Sequence, residues 1–451
     1  MGIHFGTDGI RGIANRELCC EDALSVGRAL GHILSSNRKY KTKILVGMDT
    51  RISSGMLAEA MCAGISSVGA DAVLLGIIPT PAVAYLTVKY GAKAGVIISA
   101  SHNPYEYNGI KIFGEDGFKL SDELEERIES LVADKTITPS YLSPYDIGRI
   151  TVEKNAVKDY TKYLQHTADV SLSGLRIAVD CANGSAYEIA EKLFPSLGTE
   201  TFFLNNTPDG KNINRSCGST DLSALSRFVI DNKLDLGIAF DGDADRCLAV
   251  DNCGCEVDGD IIMAILALYM KKTGDLTKNT VVGTVMTNYG FQKFCRDNGI
   301  TFKSTRVGDR YVSRLIEDEG YSFGGEQSGH IIIRKHATTG DGLLTAVKLL
   351  CCLKKSKKPL SGLSAVMKKY PQYTLNIPAN AEQKLALLTD GEIKDILTKE
   401  DEALAGRGRV VVRASGTEPL IRIMAECDCA GEPEVIVRRI AELIEKRLIS
   451  Y

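Results

Sequence analysis

The chain has 451 residues, which at about 150 residues per domain suggests about three domains. Apolar residues make up 44% and charged residues 25%, which is typical of a globular protein and argues against a disordered or fibrous one. Lys plus Arg number 54 against 57 Asp plus Glu, a net charge of −3, so no global attraction to nucleic acid or anionic membranes is expected.

Short apolar runs alternate with helical patterns along most of the chain. The predicted strands lie at 44–48, 94–98, 176–179, 234–240 and 281–285. The helical patterns that follow them lie at 56–68, 187–197 and 291–298, and another helix is predicted to begin at Ser121. Strands that alternate with helices predict parallel sheets with buried strands.

Two polar stretches interrupt this pattern, and the end of the chain differs from the rest. Residues 134–150 are polar and contain two prolines, which predicts a linker, and the basic run 354–359 predicts a solvated turn. Near the end, two predicted strands at 410–413 and 420–425 flank a turn, and an amphipathic helix is predicted at 435–448. This part predicts a small α+β domain.

The sequence shows neither a membrane-span pattern nor a secretory-signal pattern. No run approaches the about 20 apolar residues of a membrane span, and the first residues lack the pattern of a secretory signal. The thirteen cysteines are scattered and include no CxxC pair, which indicates free thiols in a reducing cytoplasm. Walker, GxGxxG, HExxH and GxSxG motifs are also absent from the sequence.

The strand at 94–98 leads directly to Ser101 and His102, followed by Asn103 and Pro104. Ligands of open α/β sheets bind at the carboxyl ends of strands, and Pro104 restricts Asn103 to extended conformations. A hydroxyl held on such a turn could carry a group covalently if a base were near. From this segment alone, an ordinary polar turn explains the residues equally well.

A second strand ends in three alternating carboxylates, Asp241, Asp243 and Asp245. They repel one another unless a cation lies between them, and oxygen ligands suit Mg²⁺. An EF-hand does not fit, because Arg246 and Asn252 stand where Gly and Glu belong. We therefore favour a divalent-metal loop over a solvated acidic turn.

A third motif combines a guanidinium with hydroxyls and a glycine, which suits a phosphate dianion. Its residues are Arg413, Ser415, Gly416 and Thr417, with Arg422 nearby. Two weaker signals are the group Glu326, Ser328 and His330 between glycines, and Arg11 near the N-terminus. A serine, a metal loop and a separate phosphate site together predict phosphoryl transfer on a phosphorylated small molecule.

Long motifs along the whole chain resemble the phosphohexomutases. They are FGTDGIRG, PTPAVAYLT, GVIISASHNPYEYNGIK, VDCANG, NINRSCGSTD, DGDADR, VGDRYV, GGEQSGH, TTGDG and RASGTEPLIRIM. The resemblance implies three similar α/β domains with mixed, largely parallel sheets and a smaller C-terminal α+β domain around a central cleft. We place these domains at 1–150, 151–254, 255–368 and 369–451.

The resemblance also implies site roles. Ser101 would carry the phosphoryl group and bind Mg²⁺ together with Asp241, Asp243 and Asp245. Sugar hydroxyls would be held by Glu326 and Ser328. The distal phosphate would be bound by Arg413, Ser415, Gly416, Thr417 and Arg422. Candidates for proton transfer or charge stabilisation are Arg11, His102, Lys111, Arg246 and His330.

The implied reaction interconverts glucosamine 6-phosphate and glucosamine 1-phosphate through a phosphoserine and a sugar 1,6-bisphosphate, which also serves as activator. This would supply UDP-N-acetylglucosamine and cell-wall precursor synthesis. The expected partner is a phosphorylated hexosamine, with no nucleic acid and no membrane. A cytoplasmic monomer or homodimer is expected.

Other functions remain open at this point. A phosphomannomutase/phosphoglucomutase would share the fold, although that type usually has Met at the position of Gln327. A metal-dependent phosphatase would not need the separate phosphate site. A silent sugar-phosphate sensor would not need Ser101 and three intact aspartates. Cys247, Cys253 and Cys255 follow the metal loop and could make activity oxidation-sensitive, although buried, inert thiols are the simpler interpretation.

Overall fold

The computed structural model describes residues 4–6, 8–35, 41–134, 143–415 and 419–448, with the side chain of Leu388 left out. The chain divides into two compact units. The first unit contains Met1–Thr284 and Lys303–Val366, and the second contains Val285–Phe302 and Met367–Tyr451.

The first sheet of the first unit has six strands in the order β1-β5-β4-β2-β3-β6. The strands are β1 (Ile10–Ile13), β2 (Lys43–Met48), β3 (Asp71–Ile77), β4 (Ala94–Ile98), β5 (Tyr107–Gly114) and β6 (Ile150–Val152). The helices are α1 (Cys20–Ser35), α2 (Ser54–Ser67), α3 (Thr80–Lys89) and α4 (Asp122–Ala133). β2 pairs in parallel with β3 and β4, whereas β5 is antiparallel to β1 and β4. All five residues of β4 are buried, as its uninterrupted apolar sequence predicts.

The second sheet has five strands in the order β11-β10-β9-β7-β8. The strands are β7 (Arg176–Asp180), β8 (Glu200–Leu204), β9 (Leu236–Phe240), β10 (Cys247–Asp251) and β11 (Glu256–Val257). The helices are α5 (Ala156–Thr167), α6 (Tyr187–Ser196) and α7 (Ser223–Asp231). β7 is parallel to β8 and β9, and β9 turns back into antiparallel β10.

The third sheet has the order β13-β12-β14-β15. The strands are β12 (Thr280–Thr284), β13 (Thr301–Thr305), β14 (Phe323–Gly325) and β15 (Ile331–Ile333). The helices of this region are α8 (Gly259–Thr273), α9 (Tyr289–Asp297), α10 (Asp309–Glu319), α11 (Gly342–Ser356) and α12 (Leu360–Ser364). β14 and β15 form a tight antiparallel pair joined by residues 326–330.

The C-terminal sheet, in the second unit, has three antiparallel strands in the order β16-β18-β17. The strands are β16 (Gln372–Pro378), β17 (Gly408–Ala414) and β18 (Leu420–Cys427). The helices are α13 (Ala381–Thr389), α14 (Gly391–Ala403) and α15 (Glu432–Leu448). The apolar side of α15 packs with both neighbouring strands in one core that includes Ile421, Ile423, Ile440 and Ile444. The predicted fold class, α/β with a C-terminal α+β domain, is confirmed.

A buried polar network joins Val285–Phe302 to the rest of the second unit. Asn288 Nδ2 donates to the Tyr370 carbonyl at 3.0 Å, and the Tyr370 N–H donates back to Asn288 Oδ1 at 2.9 Å. The Tyr289 N–H donates to Glu426 at 2.8 Å, and Arg409 Nε donates to the same carboxylate at 3.0 Å. Glu426 is fully buried, so these donors compensate the loss of its hydration.

The predicted strands and helices are present with small differences at their ends, and Ser121 caps α4 through its hydroxyl. Two interpretations are corrected. The basic run is not a solvated turn throughout, because α11 continues to Ser356 and positive charge in a last helical turn is favourable. The predicted linker ends earlier than residue 150, because Ile150 begins β6, which pairs with β3. The domain boundary predicted there therefore falls inside a strand. Residues 135–142 of that linker lie outside the described residues.

No helix among the described residues is both long and apolar enough to cross a membrane. All thirteen cysteines are free, as the sequence predicts.

Candidate active site

Ser101 lies in the loop that follows β4, and its side chain is almost completely buried. Its Oγ donates to Asp241 Oδ2 at 2.6 Å, which joins two loops that are 140 residues apart in sequence. Its φ of 52° lies in the left-handed region that non-glycine residues seldom adopt. Strain of this kind occurs at functional sites where the surrounding structure holds the backbone in place.

The side chain of Arg51 holds the Ser101 loop in this conformation. Arg51 follows β2, is buried, and donates through Nε to Asp49 Oδ2 at 2.8 Å. Its guanidinium also donates to four carbonyl groups of the loop, those of Ser101 (2.9 Å), Asn103 (2.9 Å), Pro104 and Tyr107 (3.0 Å). A planar fork of donors suits several acceptors at once. Arg51 is therefore the main support of the Ser101 loop, and Asn214 Nδ2 adds donations to the carbonyls of Ser101 (2.8 Å) and Asn103 (3.1 Å).

Asp241, Asp243 and Asp245 lie between β9 and β10, and all three are buried. One oxygen from each lies within 4.8 Å of the others, and Oδ1 of Asp243 and of Asp245 accepts no hydrogen bond among the described residues. Burial, with its two neighbouring carboxylates, raises the pKa of Asp241 well above its usual range. These residues fit a hard divalent cation, which takes oxygen ligands and compensates their charge.

Close approach of the two loops requires a glycine between the aspartates. A Cβ atom on Gly242 would lie 2.6 Å from the carbonyl oxygen of Ser101. Any side chain there would push the loop of residues 241–245, which we call the metal loop, away from the Ser101 loop.

Lys111, on β5, is buried beside this cluster. Its Nζ lies 3.0 Å from Asp243 Oδ2, 3.2 Å from Asp245 Oδ2 and 3.1 Å from Asp8 Oδ2. Burial alone would lower the pKa of Lys111, but the three carboxylates raise it well above its usual value. Lys111 is therefore a permanent positive charge at neutral pH.

Two other predicted candidates, Arg11 and His102, lie near the serine. Arg11 contacts Asp8 and donates to Asn103 Oδ1 at 3.0 Å. His102 Nδ1 lies 3.5 Å from Ser101 Oγ. Burial, with the charges of Arg246 and Arg11, lowers the pKa of His102 to about 4. Its imidazole is therefore neutral at physiological pH and able to accept a proton.

The loop of residues 326–330, which we call the sugar loop, lies against the metal loop. The Cys247 N–H donates to the Gly329 carbonyl at 3.0 Å, directly after the aspartates. Ser328 Oγ has no hydrogen-bond partner among the described residues, and Glu326 Oε1 accepts from the Gly308 N–H at 3.1 Å. Burial raises the pKa of Glu326. The loop thus offers a hydroxyl and a carboxylate near the metal loop.

In the second unit, Arg413 on β17 lies directly opposite Arg422 on β18. Like charges in this position destabilise a sheet unless an anion compensates them, and burial with the charge of Arg422 lowers the pKa of Arg413. The Ser415 N–H donates to the Leu420 carbonyl at 2.9 Å, which closes the loop. Gly416 and Thr417 lie outside the described residues.

Several residues that complete the site were not predicted as site residues. Asp8 accepts from Lys119 at 2.6 Å, and Lys119 also donates to Asp309 at 2.5 Å. Asp8 and Asp309 stand inside FGTDGIRG and VGDRYV, but nothing in those motifs shows which charges meet. Arg51 follows the end of a predicted strand, and the same reasoning that selected Ser101 and the aspartates could have selected it as a site residue.

Cys247 is fully buried, and burial raises the pKa of its thiol. This favours the inert interpretation over a redox role, since the thiolate is the reactive form. Cys253 and Cys255 are exposed.

A buried serine facing three carboxylates at the ends of two strands, beside a buried lysine, is typical of an enzyme that transfers phosphoryl groups. Phosphoglucomutase/phosphomannomutase family models match four successive stretches. These are α/β/α domain I at residues 2–138, domain II at 158–254, domain III at 258–370 and the C-terminal domain at 375–443.

Curated relatives agree over the full length. A phosphoglucosamine mutase from Clostridium acetobutylicum is 51% identical over 447 residues, covering 99% of this chain and 100% of the relative. One from Caldicellulosiruptor bescii is 49% identical over 450 residues, with the same coverage. The chain belongs to the phosphoglucomutase/phosphomannomutase family, and it is a mutase of the isomerase class.

Solved structures share the fold. A phosphoglucomutase/phosphomannomutase family protein from Burkholderia thailandensis has a TM-score of 0.81 at 22% identity, covering 97% of each chain. Aspergillus fumigatus N-acetylphosphoglucosamine mutase, in complex with GlcNAc-6P and magnesium, has a TM-score of 0.66 at 16% identity and covers 98% of this chain and 95% of that chain.

Proposed function

We propose that the chain interconverts glucosamine 6-phosphate and glucosamine 1-phosphate. The observation that carries the proposal is the 2.6 Å hydrogen bond from the buried Ser101 hydroxyl to the metal-loop carboxylate of Asp241. The choice of glucosamine rests on the names of the full-length relatives at about 50% identity. The likeness to distant structures supports the fold only.

In the proposed reaction, Ser101 carries a phosphoryl group. The free hydroxyl of the sugar phosphate attacks phosphorus and loses its proton, the bond from phosphorus to Ser101 Oγ breaks, and Ser101 Oγ takes up a proton to become a free hydroxyl. The product is the 1,6-bisphosphate. The reverse transfer, after the bisphosphate has turned round, returns the other phosphoryl group to Ser101 and releases the isomeric monophosphate. No phosphate is gained or lost over the cycle.

The residues of the chain divide this work. Mg²⁺, held by Asp241, Asp243, Asp245 and the group on Ser101, would neutralise charge on the transferring phosphoryl oxygens. Lys111 supplies a fixed positive charge beside the same oxygens, and neutral His102 can take up a proton. Arg11 and Arg246 add charge stabilisation.

The proposal assigns the two ends of the substrate to different loops. Glu326 and Ser328 bind the sugar, and His330 in the same loop is a candidate for proton transfer or charge stabilisation. The paired guanidinium groups of Arg413 and Arg422, with Ser415, bind the phosphate that is not transferred. Gly416 and Thr417 join this proposed set from the sequence alone. Since either phosphate can be the distal one, this loop must accept both monophosphates and the bisphosphate.

The 1,6-bisphosphate is proposed as the activator that keeps Ser101 phosphorylated. The free state of all thirteen cysteines supports a reducing compartment such as the cytoplasm. The four-domain division and a monomeric or homodimeric state complete the proposal.

The test is a coupled assay with glucosamine 6-phosphate, catalytic glucosamine 1,6-bisphosphate and Mg²⁺. Wild-type protein should form the 1-phosphate, and Ser101→Ala should not, while its circular dichroism spectrum stays that of wild type. The half-buried Ser25, on α1, whose hydroxyl donates to the Glu21 carbonyl, gives the control Ser25→Ala, which should stay fully active.

Parallel reactions with glucose and mannose phosphates test the substrate. Faster turnover of either would assign the chain to the phosphomannomutase/phosphoglucomutase type instead. Release of inorganic phosphate without isomerisation would identify a phosphatase. Wild-type turnover by Ser101→Ala would refute the phosphoserine mechanism.

A further inference from the structure

Five side chains of the first unit form a line of alternating charge. Lys111 lies 3.1 Å from Asp8 Oδ2, and Asp8 Oδ1 lies 2.6 Å from Lys119 Nζ. Lys119 Nζ lies 2.5 Å from Asp309 Oδ2, and that same oxygen lies 3.5 Å from His330 Nε2. The line thus begins at the lysine beside the metal loop and ends at the imidazole of the sugar loop.

Lys119 is the centre of this line, and the proposed function gives it no role. Its side chain is only 15% exposed, and it touches carboxylates from two distant parts of the sequence. Asp8 precedes β1, and Asp309 is the first residue of α10. Lys119, Asp8 and Asp309 are half-buried, so removing the lysine would leave two partly desolvated carboxylates without their shared cation.

The backbone fixes the ring of His330 in one place. The Gly340 N–H donates to Nε2 at 3.2 Å, so Nε2 acts as an acceptor and the ring proton lies on Nδ1. A Cβ atom on Gly340 would lie 2.4 Å from Nε2, so glycine is needed for this approach. Nδ1 is buried and has no partner among the described residues. Nδ1–H is therefore a donor of fixed orientation that is available to a ligand.

The charges around the ring explain why Lys119 matters. Asp309 Oδ2 lies 3.5 Å from Nε2, and an uncompensated carboxylate there would favour the tautomer that carries its proton on Nε2 and donates it to Asp309. Two other charged residues near this ring are Glu326, in the same loop, and Arg246, whose backbone bridges to His330. Lys119 compensates Asp309 directly, and its ammonium also helps to lower the pKa of Asp309 against the opposing effect of burial.

We propose that Lys119 is a positioning residue: by sharing its ammonium between Asp8 and Asp309, it keeps Nε2 of His330 unprotonated and its Nδ1–H available to the sugar phosphate. This inference rests on the proposed function for its catalytic consequence, but the state of the ring can be measured without turnover. Lys119 itself touches neither the reacting atoms nor, in this proposal, the sugar.

The first experiment observes the ring directly. The chain has six histidines, so ¹⁵N-histidine labelling gives few imidazole signals, and His330→Gln assigns the relevant one. At neutral pH, wild-type His330 should show an unprotonated Nε2. Lys119→Met should move a proton onto Nε2, and Lys119→Arg, which keeps the charge, should restore the wild-type pattern. An unchanged His330 signal in Lys119→Met would overturn the proposal whether or not the protein is active.

The second experiment measures mutase kinetics in single and double variants. Lys119→Met should lower kcat by about ten- to a hundredfold with a smaller effect on KM, as expected for losing one charge-assisted hydrogen bond in the transition state. Lys119→Arg should recover most of the loss. Because Asp309 transmits part of the effect, the loss in Lys119→Met/Asp309→Asn should be smaller than the product of the single losses.

The control is Lys335→Met, which removes an exposed lysine paired with Asp275 at 2.9 Å and should leave kcat unchanged. A Lys119→Met protein with a lowered melting temperature but wild-type kcat would show that Lys119 only stabilises the fold, and this would overturn the proposal. Multiplicative losses in the double variant would overturn it as well. An inactive wild type would refute the proposed function, and the ring measurement would still decide the role of Lys119.

Discussion

Replacing Arg51 by methionine tests how strongly one side chain holds the serine loop. The substitution keeps much of the buried volume and removes a guanidinium that serves Asp49 and four loop carbonyls. Asp49 and Arg51 both have completely buried side chains. Breaking a buried pair by removing one partner costs about 3 to 5 kcal/mol. We expect Arg51→Met to lower the free energy of unfolding of the first unit by this amount.

The measurement is urea denaturation followed by circular dichroism, with Arg314→Met as the matched control. Arg314 is 68% exposed and its nearest carboxylates lie 3.8 Å away, so its loss should cost less than about 1 kcal/mol. Arg51→Lys keeps the charge but not the fork, and it should lie between wild type and Arg51→Met. If the free energy of the first unfolding transition of Arg51→Met lay within about 1 kcal/mol of the wild-type value, Arg51 would not be the side chain that holds the Ser101 loop.

Three further predictions concern the metal loop, the phosphate loop and pH. Asp243→Asn should weaken metal-dependent turnover, since it removes a negative ligand and a partner of Lys111; an unchanged Mg²⁺ titration would contradict this. Arg413→Lys should lower kcat/KM by about ten- to a hundredfold in both reaction directions, and a loss confined to one direction would contradict a shared phosphate loop. Burial, with the charges of Lys348 and Lys335, lowers the pKa of His336 to about 4. The unfolded chain therefore binds the extra proton between about pH 4 and 6.5, and stability should rise with pH across that window. His336→Gln should flatten the rise in urea midpoints measured at pH 4.5 and 7.

The sequence predicted the parts of the site that follow strands. Ser101 and the three aspartates each stand directly after a buried apolar run, and ligands of open α/β sheets bind at such carboxyl ends of strands. The structure brings Ser101 Oγ within 2.6 Å of Asp241. The local pattern predicted that each group lies at a strand end but not the contact itself, because β4 and β9 belong to different sheets and Ser101 and Asp241 are 140 residues apart in sequence.

Charge pairs between distant loops were not predictable in this way. Lys119 meets Asp8 and Asp309 across 111 and 190 residues, and no periodicity relates such positions. Local sequence also misled at Lys354, where a basic run ends a helix and donates to the Ser173 carbonyl at 2.5 Å. A run of like charge has the same composition on a solvated turn and on a helix end that compensates the dipole.

The path of the chain through the two units has a consequence for dissecting the protein. Val285–Phe302 lies between parts of the first unit in sequence but is packed in the second. A fragment beginning at residue 369 would therefore lack α9 and the Asn288 side chain. It would also remove a hydrogen-bond donor from the buried carboxylate of Glu426, which accepts from the Tyr289 N–H. The C-terminal sheet is thus not an autonomous module that could be cut out or transplanted at its own boundaries, and a graft must include the inserted helix.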